Sequence, residues 1–197
     1  MLANYSFLIN IFAGLFLASA QLVYIVQVVK KQVKPSVITW SGWSFLVGIA
    51  LVSQWIEFGW EWALVGHLFS ALGCTFIALF AFLSNNYTIY KKDWVYLTLG
   101  ISCILLYVIS SNALLTTLFA ILADFILGIP TFVKAIKHPS TEKSKGWNIA
   151  IISWVLTILT CYQKELIYFL FPFYCLLFNL FMSYFTNEGR IRKVKLR

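Results

Sequence analysis

The segment KKQVKPSVITWSGW, Lys30–Trp43, returns as KAIKHPSTEKSKGW, Lys134–Trp147, displaced by 104 positions without a gap. Lys30, Pro35, Ser36, Gly42 and Trp43 fall on Lys134, Pro139, Ser140, Gly146 and Trp147. The same offset pairs Ile25 with Ile129, Val29 with Val133, Glu61 with Glu165 and Phe69 with Phe173. Agreement among Ile, Val and Phe carries little weight in a chain this apolar. Lysine, Pro-Ser and Gly-Trp in one short window are hard to obtain by chance. A repeat inside a membrane protein points to two related bundles with a site between them.

Composition makes the membrane assignment. The chain is 61% hydrophobic and 11% charged, with a mean hydropathy of +0.84, outside the range of soluble domains. A spanning helix needs roughly 20 mostly apolar residues. Seven stretches qualify: Tyr5–Val29, Val37–Ile56, Trp62–Leu83, Trp94–Ser110, Ala113–Val133, Trp147–Tyr162 and Leu166–Phe185. The expected fold is an all-α integral membrane protein with seven transmembrane helices in a single domain, leaving little chain for a soluble one.

Charge orients these spans. With the N-terminus outside, every Lys and Arg except Lys164 falls in an inner segment, as the positive-inside rule requires. The C-terminus is then cytoplasmic, and a bacterial inner membrane is the expected location. The basic tail, residues 186–197, reads as a stop-transfer signal and an anchor for anionic lipids. With no soluble fold to shape a contact surface, nucleic acid is not an expected partner. The first apolar stretch has no basic n-region and is too long for a signal h-region, so it is expected to remain as a span. Cys74, Cys103, Cys161 and Cys175 show no metal or redox spacing and read as small packing residues. No metal or cofactor is expected. The pattern is compatible with a monomer or a homo-oligomer.

Placed on these spans, the repeat gives a 3+1+3 plan: residues 5–83 form repeat 1, 94–110 a linker helix, and 113–185 repeat 2. An odd linker lets two three-helix bundles insert in the same orientation, as parallel repeats about an axis along the membrane normal. This topology, over nearly the whole chain, resembles the SWEET sugar transporters and the wider PQ-loop superfamily, with the SemiSWEETs, nicotinamide riboside transporters and KDEL receptors. The Pro-Gln pair of that superfamily is split here: Pro130 stands in helix 5, and its counterpart in helix 1 is Val26, followed by Gln27. Tyr24–Trp43 is also similar to a group of bacterial SWEET-like membrane proteins.

The resemblance implies a substrate-binding Asn at mid-depth on helices 3 and 7. Asn179 matches this and Thr75 stands in its place in helix 3; Asn179 is either a substrate ligand or an interhelical hydrogen bond. Helices 2 and 6 offer Ser53, Gln54 and Thr157, with Trp55 and Trp154 as aromatic faces for a sugar or heterocyclic base. Asp124 is the one carboxylate deep in an expected span, opposite Ala20. Such residues mark ion paths, substrate contacts or buried pairs; Tyr24 and Gln21 are its expected partners.

Four residues suit gating. Pro130 frees a backbone carbonyl and, with Gly128, can bend helix 5; the SWEET resemblance implies such prolines act as hinges. Trp43 and Trp147 begin the second helix of each repeat and suit either an inner gate or an aromatic belt. The expected function is transport of a small polar solute, sugar or nucleoside- or vitamin-like, by alternating access. The alternative is a ligand-binding sorting receptor like the KDEL receptors, without flux. An enzyme is not expected, since no HExxH or Ser/His/Asp arrangement occurs. Nor is a retinal protein, which needs a mid-membrane Lys.

Overall fold

Apolar stretches broken by Lys, Pro, Asn and Gly fold into seven helices among the described residues: α1 (Ser6–Val29), α2 (Val37–Phe58), α3 (Leu64–Leu83), α4 (Asp93–Ile109), α5 (Ala113–Lys137), α6 (Gly146–Thr160) and α7 (Leu166–Thr186). The computed structural model describes residues 6–60, 64–110, 113–161 and 166–187, with the side chains of Ser53, Gln54, Glu57, Phe58, Ala113, Ile167 and Tyr168 outside that description. The Glu61–Glu165 pair, Trp62, Lys164 and the basic residues of the tail also fall outside it. Spans in α1, α3, α5 and α7 are long and apolar enough to cross a membrane by length and composition, and three shorter apolar segments lie at Val37–Val52, Asp93–Ile109 and Gly146–Thr160. Large apolar side chains cover the outside, with Leu22, Ile56, Leu83 and Ile109 among the most exposed. In lipid such a surface carries no hydrophobic penalty.

Two elements depart from the expected boundaries. α5 continues past Val133 to Lys137, running through Pro130 without ending. Lys134 and Lys137 in its last turn complement the negative end of the helix dipole. α6 begins at Gly146, one residue before the expected Trp147, and ends at Thr160 rather than Tyr162, and Pro139–Glu142 forms a separate 3-10 turn ahead of it. Pro35-Ser36 does the opposite: Ser36 caps α2 through Thr39 N, and the helix starts at Val37. The repeated Pro-Ser therefore starts a long helix in one half and a tight turn in the other. A second in-helix proline, Pro172, lies in the N-terminal half of α7.

Packing is selective. α3 packs against both α1 and α2, and α7 against both α5 and α6. α1 lies against α6, α2 against α5, and α4 against α5 and α2. The α1–α6 seam is antiparallel and stitched along its length. Thr160 Oγ1 donates to Asn10 Oδ1 at 3.2 Å, Ser153 Oγ donates to the Ala13 carbonyl at 2.8 Å, and Gly146 lets α6 reach Ala20, where an added Cβ would sit 2.6 Å from the carbonyl oxygen. At the α2–α5–α4 junction, fully buried Leu127 fills the space left by two glycines. A Cβ on Gly42 or Gly100 would lie 2.6 Å from Leu127 side-chain atoms.

One end of the bundle is tied by its loops. Asn86 Nδ2 donates to the carbonyls of Val28 and Val33, both at 2.8 Å, closing the C-terminus of α1. Thr88 N donates to the Pro35 carbonyl and Lys34 N to the Thr141 carbonyl, each at 2.8 Å. The segments following α1, α3 and α5, which carry the lysines, thus form one hydrogen-bonded layer.

Gly100→Ala should overpack Leu127 and lower stability by about 1–3 kcal/mol, read as a lower Tm in detergent. Pairing it with Leu127→Ala should give a loss smaller than the sum of the single losses, because both changes act on the same space.

Candidate functional site

Helical spacing brings one stripe of each helix to a shared interior. On α1 these are Leu17, Ala20, Gln21 and Tyr24, spaced i, i+3, i+4, i+7; on α7 they are Phe171, Cys175, Phe178 and Asn179, spaced i, i+4, i+7, i+8, each a single helical face. With residues from α2, α3, α5 and α6 they enclose a cavity of about 90 Å³. Among the described residues, α4 is the one helix that does not line it. The wall is mostly apolar and aromatic, with few polar groups, the usual composition of a small-molecule site.

Two polar side chains stand at mid-helix. Asp124 of α5 is 9% exposed, and its Oδ2 accepts a hydrogen bond from the Tyr174 hydroxyl of α7 at 2.8 Å. Asn179, 7% exposed, donates through Nδ2 to the Cys175 carbonyl one turn back at 2.8 Å. That bond satisfies one amide proton and leaves the side-chain carbonyl oxygen with no bond to another described helix. Gln21 lies over Gly73, where a Cβ would collide with its amide, and donates to the Ser70 carbonyl at 3.2 Å.

Aromatic rings close the cavity at the lysine-bearing end of the bundle. Trp40 near the start of α2 and Trp147 at the start of α6 stack at 6.0 Å, and Tyr24 touches both, at 4.9 and 5.5 Å. Trp43 packs edge-on to Trp40 and to Phe178, each at 5.1 Å. Its indole N–H donates to the Asp124 carbonyl at 3.0 Å.

Beneath this layer lies a buried ionic network. Glu142 is fully buried and Lys134 is 3% exposed; Lys134 Nζ sits 2.7 Å from Glu142 Oε1. Tyr24 Oη donates to Glu142 Oε2 at 2.5 Å, and Trp147 Nε1 donates to the Glu142 main-chain carbonyl at 2.9 Å. Lys134 also donates to the Lys34 carbonyl and, at 3.1 Å, to Thr88 Oγ1. Ser144 Oγ donates to Gln27 Oε1 at 2.5 Å, joining α1 to the entry of α6. A buried charge needs a close counter-charge and added hydrogen bonds: Lys134 has both, while Glu142 Oε2 takes the Tyr24 bond and Oε1 meets only the Lys134 charge.

The expected site residues divide. Asp124, Asn179, Trp154, Trp43 and Trp147 line the cavity. Thr75 does not: it is exposed and bonds Ser44 Oγ at 2.6 Å and the Ala71 carbonyl at 2.7 Å. One step back along α3, Cys74 takes the cavity position. Trp55 is 55% exposed and packs against Trp60, while Thr157 bonds the Ser153 carbonyl within its own helix. The side chains of Ser53 and Gln54 lie outside the described residues. Asp124 pairs with Tyr174 rather than with Tyr24 or Gln21, because those two are already engaged. Trp43 and Trp147 are 7% and 5% exposed, so neither belongs to an interfacial belt. Gly128 is tightly packed, since a Cβ there would meet Phe178 at 3.0 Å and Trp43 at 3.1 Å. Its role is to admit those rings, and Pro130 lies within a continuous helix.

The sequence does not single out Tyr174 or Glu142, and it offers Tyr24 as a partner of Asp124 and Lys134 as a loop lysine of the repeat, whereas both bind Glu142. For α7 a signal was present, since stepping back by four and eight from Asn179 yields Cys175 and Phe171. Glu142 carried none, because it sits in what reads as a solvated loop. Among the described residues no group of His, Cys, Asp and Glu could hold a metal ion. In comparison with known proteins, the chain matches no family model, no curated protein and no solved structure.

Glu142→Gln should leave the Lys134 ammonium buried and uncompensated, costing about 3–5 kcal/mol and lowering Tm sharply. Replacing both residues, Lys134→Met with Glu142→Leu, should restore most of that loss.

Proposed function

We propose that this chain is a transporter for a small polar solute, working by alternating access between two three-helix units, α1–α3 and α5–α7, joined by α4. The observation that carries the proposal is a cavity lined by all six helices of the two units, with a carboxylate and an amide inside, and closed at one end by stacked aromatic rings over an ion pair.

Several features support the two-unit organisation. Among these six helices, exchanging α1, α2 and α3 for α5, α6 and α7 leaves the pairs in contact unchanged, and α4 breaks the correspondence by packing on α5 and α2. Three pairs of counterparts under the 104-residue offset line the cavity together: Ala20 with Asp124, Trp43 with Trp147 and Cys74 with Phe178. The seams correspond as well, with Gly146 against the Ala20 carbonyl and Trp43 bonded to the Asp124 carbonyl. This organisation is the one implied by the resemblance to SWEET-like proteins, and we assign the chain to that superfamily on these grounds. The lysine-bearing layer is assigned to the cytoplasm by the positive-inside rule, with the N-terminus outside and a bacterial inner membrane as the setting.

In this mechanism the inner gate is the Tyr24–Trp40–Trp147 stack, locked by Lys134 and Glu142. Inward opening separates Trp40 from Trp147 and draws Tyr24 away from Glu142. Outward and inward states then differ by how those contacts are exchanged for contacts to the solute. A sugar, nucleoside or vitamin-like solute would place an apolar face on Trp154 or Phe171 and its polar edge toward Asn179 and Asp124.

The test is a thermal-shift screen of the purified protein against sugars, nucleosides and vitamins, followed by counterflow of each hit in proteoliposomes. Asn179→Ala should reduce uptake by about tenfold or more with little change in Tm, whereas Thr75→Ala should transport at close to the wild-type rate. Hits that bind without counterflow would overturn transport in favour of a ligand-sensing receptor.

A further inference from the structure

The cavity holds one acidic group and no basic one. Among the described residues lining it there is no Lys, Arg or His, and Asp124 is the sole carboxylate. Its Oδ2 is bonded to Tyr174, and no described group bonds Oδ1. The side chain is nine-tenths buried and borders the cavity. The cation on the same helix, Lys134, lies ten residues further on, about 15 Å along the axis, and is already paired with Glu142. An ionised carboxylate in so apolar a place is costly until a cation joins it.

The walls add a second preference for positive charge. Aromatic residues share the cavity with the carboxylate or adjoin it: Tyr174 bonds it directly, Trp43 bonds its main-chain carbonyl, and Phe171 and Phe178 stand 6.1 and 6.4 Å from the Tyr174 ring. Trp154 lies 6.5 Å from Phe171 on the far side, and Trp147 is 6.2 Å from Phe178. Aromatic faces surrounding a desolvated site favour alkylammonium groups over neutral or anionic ones. Space fits the same chemistry. A cavity of about 90 Å³ holds about six to nine water-sized groups, enough for a small ammonium with a short polar arm. Asn179, on the same stripe of α7, is placed to take that arm.

From this we propose that the solute is an organic cation, a small alkylammonium or protonated amine whose charge is taken by Asp124 and whose substituents pack against the aromatic walls. The assignment rests on the transporter function proposed above and narrows its substrate class. A solute carrying a carboxylate or phosphate without a compensating ammonium is excluded, because it would place two like charges in one apolar chamber.

The probes are choline, tetramethylammonium and 3,3-dimethyl-1-butanol, the uncharged isostere of choline. Binding to the purified wild-type protein is measured by thermal shift and calorimetry, and flux by counterflow in proteoliposomes. Choline and tetramethylammonium are expected to raise Tm and the isostere at equal concentration to leave it unchanged. Asp124→Asn is expected to weaken choline binding by at least about tenfold. Should that variant fail to fold, the comparison of choline with its isostere on the wild-type protein still decides the matter. Equal stabilisation by the isostere, or no response to either ammonium, overturns the cation assignment. The two proposals separate cleanly. Choline binding without counterflow removes the transporter and keeps the cation site, whereas counterflow of a neutral sugar or nucleoside with no ammonium response removes the cation and keeps the transporter.

Discussion

A lysine and a glutamate are held out of water at the lysine-bearing end of this bundle, and much of the local structure answers to them. Glu142 is fully buried, and each of its carboxylate oxygens has a partner, Lys134 on one side and Tyr24 on the other. An ion pair in so dry a place has two conditions, close contact between the charges and added hydrogen bonds from neighbours. Meeting them requires α5 to run beyond Pro130 to present Lys134, and the 139–142 segment to curl inward as a 3-10 turn. It also requires Tyr24 to turn toward the loop and the Trp147 indole to reach the Glu142 carbonyl. The same tyrosine and tryptophan then form the aromatic floor of the cavity, so the network below and the site above share their walls.

This arrangement explains why two segments with matching Lys, Pro-Ser and Gly-Trp fold differently. Lys30 and Lys134 are counterparts, yet Lys30 is exposed and Lys134 is buried. The difference lies in their companions: opposite Glu142 the first half has Ile38, which has no charge to offer and continues α2 as a helix. Trp40, in the first turn of α2, has only Ser144 as its counterpart, in the turn before α6. Symmetry is better kept higher in the bundle. There, Ser70 and Tyr174 occupy matching places beside Gln21 and Asp124, although the bonds they make differ.

Much of the fold was legible in advance. The helix boundaries follow the apolar stretches closely, and the extension of α5 to Lys137 carries Lys134 to the ion pair. The site was legible in part. Asp124, Asn179 and Trp154 stood out as polar or aromatic groups in apolar helices, and they line the cavity. Thr75 stood out for the same reason and does not. One residue along a helix is a rotation of about 100°, enough to move Thr75 from the chamber to Ser44 while Cys74 takes the inward position. Asn179, with a longer side chain on the opposite helix, still reaches.

The sequence alone determined what is local and additive: seven apolar stretches, the turns between them, the clustering of lysines in alternate connections and the duplication at 104 residues. Each depends on composition within a short window or on comparing two windows. Tertiary structure decided which face of each helix looks inward, which lysine is buried, and which partner Asp124 takes. The physical reason is the solvent. In water an amphipathic stripe announces the buried face of a helix, but lipid is as apolar as a protein core, so hydropathy does not separate the two sides of a span. Close approach at glycines and the need to satisfy a few buried polar groups set the rotation of each helix instead, and both arise only when the helices meet.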